Sequence, residues 1–201
     1  MKALFLAVLF AAAGAAAQTP GPVTGGLMTS STTRSAESAI VRPAESATAL
    51  RIELSIPAPV HEVWEAFTTQ AGLSSWLAPD VSVQLKPGGD WLVKFPGSAG
   101  GGTIVSFVPE KEIVIDALAP DSFPHVRAAR TKAVFTFTAE GNSTLIRLTQ
   151  TGWQSGAEWD AAYEYLAVGN SQVLAMLHHR FVAGPTDWKK AMETTGDNSA
   201  K

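Results

Sequence analysis

Residues 155–185 read SGAEWDAAYEYLAVGNSQVLAMLHHRFVAGP. Ser155 and Glu158 have the spacing of a capping box, in which the two side chains satisfy backbone donors that a helix start leaves open. Gly184-Pro185 supplies the stop. At about 100° per residue, Trp159, Ala162, Tyr163, Leu166, Val173, Leu177 and Phe181 share one stripe, and Asp160, Glu164, Ser171 and Gln172 lie opposite. A helix of about 27 residues is roughly 40 Å long, enough to cross a sheet, and its apolar stripe needs one to lie against. Gly169 and Asn170 interrupt the pattern. Gly169 is intelligible if the sheet or a bulky side chain passes close to the helix backbone. Asn170 falls within the stripe, where its amide needs a partner from the protein or from a ligand.

The rest of the chain supplies that sheet. Leu50, Ile52, Leu54 and Ile56 alternate with Arg51, Glu53 and Ser55, the signature of a strand with one buried face. Pro59 suits the first position of a helix carrying Val60, Val63, Trp64 and Phe67, and a second short helix carries Leu73, Trp76 and Leu77. Six β-rich runs follow, at 81–85, 91–95, 103–108, 112–117, 128–139 and 144–151. The punctuation between them, such as Pro87-Gly88-Gly89-Asp90 and Glu140-Gly141-Asn142-Ser143, fits an antiparallel meander. About seven strands, two short helices after the first and one long final helix make an α+β domain spanning residues 48–185, with a polar tail over 186–201.

Before the domain, residues 1–17 combine Lys2, an apolar run from Ala3 to Ala13, and small residues at Ala15 and Ala17, the pattern of a cleavable signal. The run is shorter than the roughly 20 residues a membrane span requires, and no later segment is a candidate span. Residues 18–47, rich in Ser, Thr, Ala, Gly and Pro, read as a disordered leader. The chain is therefore expected to be periplasmic or secreted. It contains no cysteine, so no disulfide supports it. Its net charge of -3 becomes more negative once Lys2 is removed, which speaks against nucleic acid as a partner.

Several motifs are specific in combination: Ile56-Pro57-Ala58-Pro59, Val63-Trp64-Glu65-Ala66-Phe67-Thr68, Leu73 with Trp76-Leu77, the Gly88-Gly89 turn, and Leu148-Thr149-Gln150-Thr151-Gly152-Trp153 before the long helix. With the element order they resemble the START-like (SRPBCC) superfamily, and within it the family of activator of heat shock protein ATPase homologue-like domains. The resemblance implies a helix-grip fold: a curved antiparallel sheet wrapped around the long helix, often leaving an elongated cavity between them. It implies no single activity, since lipid carriers, cyclases and cochaperone domains share the architecture. The cochaperone role transfers poorly to a chain read as exported, because that partner is cytosolic. At the position of Asn170 the family often carries an aromatic; the smaller polar group here leaves room beside the helix.

The chemistry legible in the residues is sparse. His178 and His179 are adjacent, and His61 and His125 lie far off, so no metal site is expected. There is no GxSxG and no cysteine nucleophile. Gly97-Ser98-Ala99-Gly100-Gly101-Gly102 lacks a following helix with Lys-Ser or Lys-Thr and reads as a flexible hairpin loop able to gate the cavity. No catalytic residue and no cofactor is assigned. The expected function is binding of a small hydrophobic or amphipathic ligand between sheet and long helix. Trp64, Trp76, Phe135, Phe137, Tyr163, Leu166 and Val173 would line the cavity, with Gln150 and Asn170 as polar handles. The alternatives are a cyclase- or dehydratase-type enzyme drawing on Asp116, His125, Arg127 or Arg130, which requires at least two of them to converge, and a protein-interaction module. The oligomeric state is left open.

Overall fold

The computed structural model describes residues 49–95 and 98–191. The expected signal, leader and last ten residues of the expected tail lie outside them. Seven antiparallel strands form one sheet in the order β1-β7-β6-β5-β4-β3-β2: β1 Leu50–Ile56, β2 Val81–Val83, β3 Asp90–Phe95, β4 Ser98–Val108, β5 Glu112–Leu118, β6 Thr131–Glu140 and β7 Ser143–Thr151. Helices α1 (Val60–Thr68) and α2 (Gln70–Ser74) follow β1, α3 (Pro124–Ala129) precedes β6, and α4 (Ala157–Ala183) closes the fold with 27 residues. This is the helix-grip arrangement, a curved sheet holding a long C-terminal helix.

Register fixes the inner face. On β7, Thr144, Ile146, Leu148 and Gln150 are buried, and they stand opposite Ile56, Leu54, Ile52 and Leu50 of β1. Across β6 the partners of Ile146, Leu148 and Gln150 are Phe137, Phe135 and Ala133. A one-residue slip would turn every one of these side chains outward, so burial itself enforces the pairing.

One end of the inner face is filled by rings. Phe67, fully buried on α1, has its centroid 4.8 Å from Phe135, 5.0 Å from Trp91 and 5.5 Å from Phe137. The indole N–H groups of Trp91 and Trp76 donate to the carbonyls of Phe67 and Ala66, at 2.9 and 2.8 Å. The rings therefore fill volume and also satisfy carbonyls that the end of α1 leaves open. Removing a ring of this kind costs about 3–5 kcal/mol.

Two expectations are corrected. Gly100, Gly101 and Gly102 are not a gating loop: they lie in β4, paired with Val93, Leu92 and Trp91 of β3, and Gly101 and Gly102 also pair with Leu118 and Ala117 of β5. A Cβ at Gly101 would stand 2.1 Å from the Trp91 carbonyl oxygen, and one at Gly102 would stand 2.2 Å from that of Asp116. The glycines allow β4 to run that close to both neighbours. The second correction is the start of β6, expected at Ala128. Pro124 opens α3 instead, and the strand begins at Thr131.

Beyond α4 the chain folds back on α2. Thr186 N–H donates to Ser75 O at 2.8 Å, the Trp188 indole donates to Ser74 O, and Arg180 Nε reaches Ser75 Oγ at 3.0 Å. Among the described residues, no helix is long and apolar enough to cross a membrane.

Candidate functional site

The size of the inward side chains changes along the groove. Rows through Leu148, Phe135 and Ile113, or through Ile146 and Phe137, carry bulk. The row from Gln150 runs through Ala133 on β6 to the buried Ile115 and Ile104, and the row beyond it runs Thr131, Ala117, Gly102, Trp91 across β6, β5, β4 and β3. In that last row the middle positions are small, at Ala117 and Gly102, and Trp91 of the ring cluster closes it. The first half of α4 covers the Gln150 end: Tyr163 and Ala167 are buried against Leu50, and Trp159 and Ala162 against Ala119 and Val126.

A polar line crosses from helix to sheet here. Asn170 Nδ2 donates to Gln150 Oε1 at 2.9 Å, and Gln150 Nε2 donates to Thr131 Oγ1 at 2.7 Å. Gln150 and Thr131 are each 3 % exposed, whereas Asn170 is half-buried. The carboxamide oxygen of Asn170 plays no part in the line, and neither does the hydroxyl proton of Thr131. Trp153 closes one flank: its indole donates to Gln150 O at 3.0 Å, and its ring meets Tyr163 edge-on at 5.0 Å. Leu166 and Val173, one turn either side of Asn170, remain half-buried.

The nine residues expected to line a cavity thus divide in two. Gln150, Tyr163, Leu166, Asn170 and Val173 lie at or beside the polar line. Trp64, Trp76, Phe135 and Phe137 belong to the ring-filled end, where Trp64 meets Phe137 edge-on at 5.2 Å and Trp76 stacks on Phe67. They serve there as packed core. Gly169 is a further correction, since a Cβ added to it would meet nothing within 4 Å. No close approach of the sheet requires a glycine at that position.

The four candidates for acid–base chemistry do not converge. Asp116, between inward Ile115 and Ala117, faces outward with its cross-strand partner Lys132. His125 is exposed on α3 and bonds Glu158. Arg127 ties down the β5–α3 connection, with Nη1 donating to the carbonyls of Ala119 and Ala99 and Nε pairing with Asp121 at 3.0 Å. Arg130 stands between α3 and β6 with a positive φ of 64°. Among the described residues, no group of three or more His, Cys, Asp or Glu side chains could hold a metal ion.

Glu158 does not form the expected capping box. The N-cap of α4 is Gly156, with no side-chain cap, and Glu158 turns to α3 instead. Its Oε1 accepts from the backbone N–H groups of His125 (2.8 Å) and Val126 (3.2 Å), and Oε2 meets His125 Nδ1 at 2.5 Å. The side-chain bond to His125, helped by the two backbone donors, lowers the carboxyl pKa below its ordinary value. A helix start that the sequence did not announce needed an acceptor, and Glu158 supplies it. Among the residues that sequence reasoning missed, Thr131 had a usable signal. Counting back from the two-residue Gly141–Asn142 turn pairs Gln150 with Ala133 and puts Thr131 on the same face.

The family model described as Activator of Hsp90 ATPase homolog 1-like protein matches residues 57–181. Among solved structures, the solution structure of the Aha1 dimer from Colwellia psychrerythraea superposes with a TM-score of 0.57 at 20% identity, over 68% of this chain and 97% of that one. Protein MLL2253 from Mesorhizobium loti gives 0.56 at 19% identity, over 65% and 94%. CalU16 from Micromonospora echinospora gives 0.54 at 21%, over 70% and 78%. At these identities the likeness is one of fold. A search of curated proteins found no match.

Proposed function

Since the chain belongs to the Activator of Hsp90 ATPase homolog 1-like family, on the match over residues 57–181, we propose that it uses the helix-grip groove to hold a small hydrophobic or amphipathic molecule. The site lies beneath α4 around Asn170, at the Gln150 end of the sheet. The apolar wall comes from Leu50, Tyr163, Leu166 and Val173, and the polar handles are Asn170 and Gln150. Export to the periplasm or beyond belongs to the same reading, on the strength of the residue 1–17 pattern.

One observation carries it: the Asn170–Gln150–Thr131 line lies where the strand partners of Gln150 and Thr131 are the small Ala133 and Ala117. Ligand sites are mostly apolar concavities with a few placed polar groups, and this end combines the two. The fold hosts many activities, so the site and not the fold bears the proposal.

The test is native mass spectrometry of protein purified from its own source, followed by extraction and identification of whatever it retains. A stoichiometric small molecule that is lost on Asn170→Leu, in a variant that still folds, supports the reading. A bare chain that also takes up no amphipathic probe refutes it.

A further inference from the structure

We propose that Arg130 anchors the head group of the molecule held beneath α4, which makes that molecule an amphipathic carboxylate. This rests on the binding reading above and names the ligand class for the same site.

The first observation is conformational. Arg130 caps α3, with its N–H donating to Val126 O at 2.9 Å, and holds φ 64° and ψ 157°. That region of backbone space is essentially restricted to glycine, and a bulky residue kept there points to a role that outweighs the strain. The second is chemical. Nη1 of Arg130 is sealed from solvent and has no hydrogen-bond partner, alone in this respect among the buried side-chain nitrogens and oxygens of the described residues. Buried polar groups are normally satisfied, and a guanidinium cannot escape by losing its proton.

Position joins the two. Arg130 directly precedes Thr131, the buried terminus of the Asn170–Gln150–Thr131 line. In a regular strand the residue before inward-facing Thr131 would turn its side chain to the outer, solvated face; the positive φ departs from that geometry, and the guanidinium nitrogen is buried. Arg127, one turn earlier, is occupied by Ala119, Ala99 and Asp121. Of the two arginines, one fastens the loop and the other carries a buried donor without a partner. The planar fork of a guanidinium matches a carboxylate. With the head group at Arg130, an apolar tail would run along Leu166 and Val173.

The experiment is isothermal titration calorimetry of the full chain, stripped of bound lipid, with dodecanoate, dodecyl phosphate and dodecanol. Wild type, Arg130→Gln and Arg130→Gly are compared. Wild type should take dodecanoate at least about tenfold tighter than dodecanol, as expected for a hydrogen bond to a charged group. Arg130→Gln should remove that preference. Arg130→Gly relieves the strained φ, so it should raise the thermal midpoint while also losing the preference; an arginine with a purely structural role would instead lower the midpoint. Equal binding of dodecanoate and dodecanol to wild type, or a preference that survives in Arg130→Gln, overturns the anchor and leaves the groove reading standing. Tighter binding of dodecyl phosphate than of dodecanoate overturns the carboxylate assignment in favour of phosphate. Binding of none of the three overturns the groove reading, and the anchor with it.

Discussion

Replacing Gln150 by leucine breaks the polar line at its centre and leaves two unequal orphans. The Asn170 amide, half-buried, can turn to water, so losing its bond costs about 1 kcal/mol. Thr131, 3 % exposed, cannot, and its unmet hydroxyl costs about 1–3 kcal/mol. The leucine returns up to about 1 kcal/mol of apolar burial. A net loss of about 2 kcal/mol follows. Adding Thr131→Val removes the orphan and should recover about 1 kcal/mol. In wild type the same Thr131→Val strands Gln150 Nε2 and costs about 1 kcal/mol. Thr131→Val should therefore change sign with its background, which a double-mutant cycle reads directly. Urea unfolding of the four proteins, with the midpoint shifting at constant m, is the assay. If Thr131→Val has the same effect in both backgrounds, the two side chains are not energetically coupled and the line is no structural unit.

Gly169→Ala meets open space in a helix interior, so it should gain up to about 1 kcal/mol, visible as a raised urea midpoint. Gly102→Ala drives a Cβ to 2.2 Å from Asp116 O; stability should fall by about 3 kcal/mol or more, with amide exchange accelerating first along β4 and β5. Glu158→Gln tests the brace between α4 and α3. Because the Glu158 pKa is lowered in the folded chain, its contribution is fully present above the unfolded carboxylate value of about 4.3 and is lost as pH falls through the folded value. The gap in thermal midpoint between wild type and Glu158→Gln should thus be open at neutral pH and close in acid; a gap independent of pH would contradict the assignment.

The fold was readable because its two periods are plain: alternation over Leu50–Ile56 and the helical stripe from Trp159 to Phe181 each name a buried face. Placing Gln150 on one such face and Asn170 on the other made their meeting foreseeable. Other features lacked a periodic signal. A six-residue helix such as α3 shows too little repeat to be seen, and its N-terminal acceptor, Glu158, is 33 residues away in sequence from His125. Gly100–Gly102 looked like a loop because glycine is a poor strand former. Pairing on both sides of β4, and carbonyls too close for any Cβ, hold the run in the sheet. For Trp64, Trp76, Phe135 and Phe137, pattern gives an inward direction and no more. A packed cluster differs from a cavity wall only in the distances across the groove.

Those distances suggest why the groove is built unequally. Around Phe67, the indoles of Trp76 and Trp91 both fill space and hold the end of α1, so a change in volume there costs packing and hydrogen bonding together. At the Gln150 end one hydrogen bond, Asn170 to Gln150, ties the helix to the sheet beside the packing of Tyr163 and Ala167 on Leu50, and a second, Gln150 to Thr131, joins β7 to β6. Exchanging Asn170 therefore touches the hydrogen bond from helix to sheet and leaves the indole bonds at the end of α1 in place.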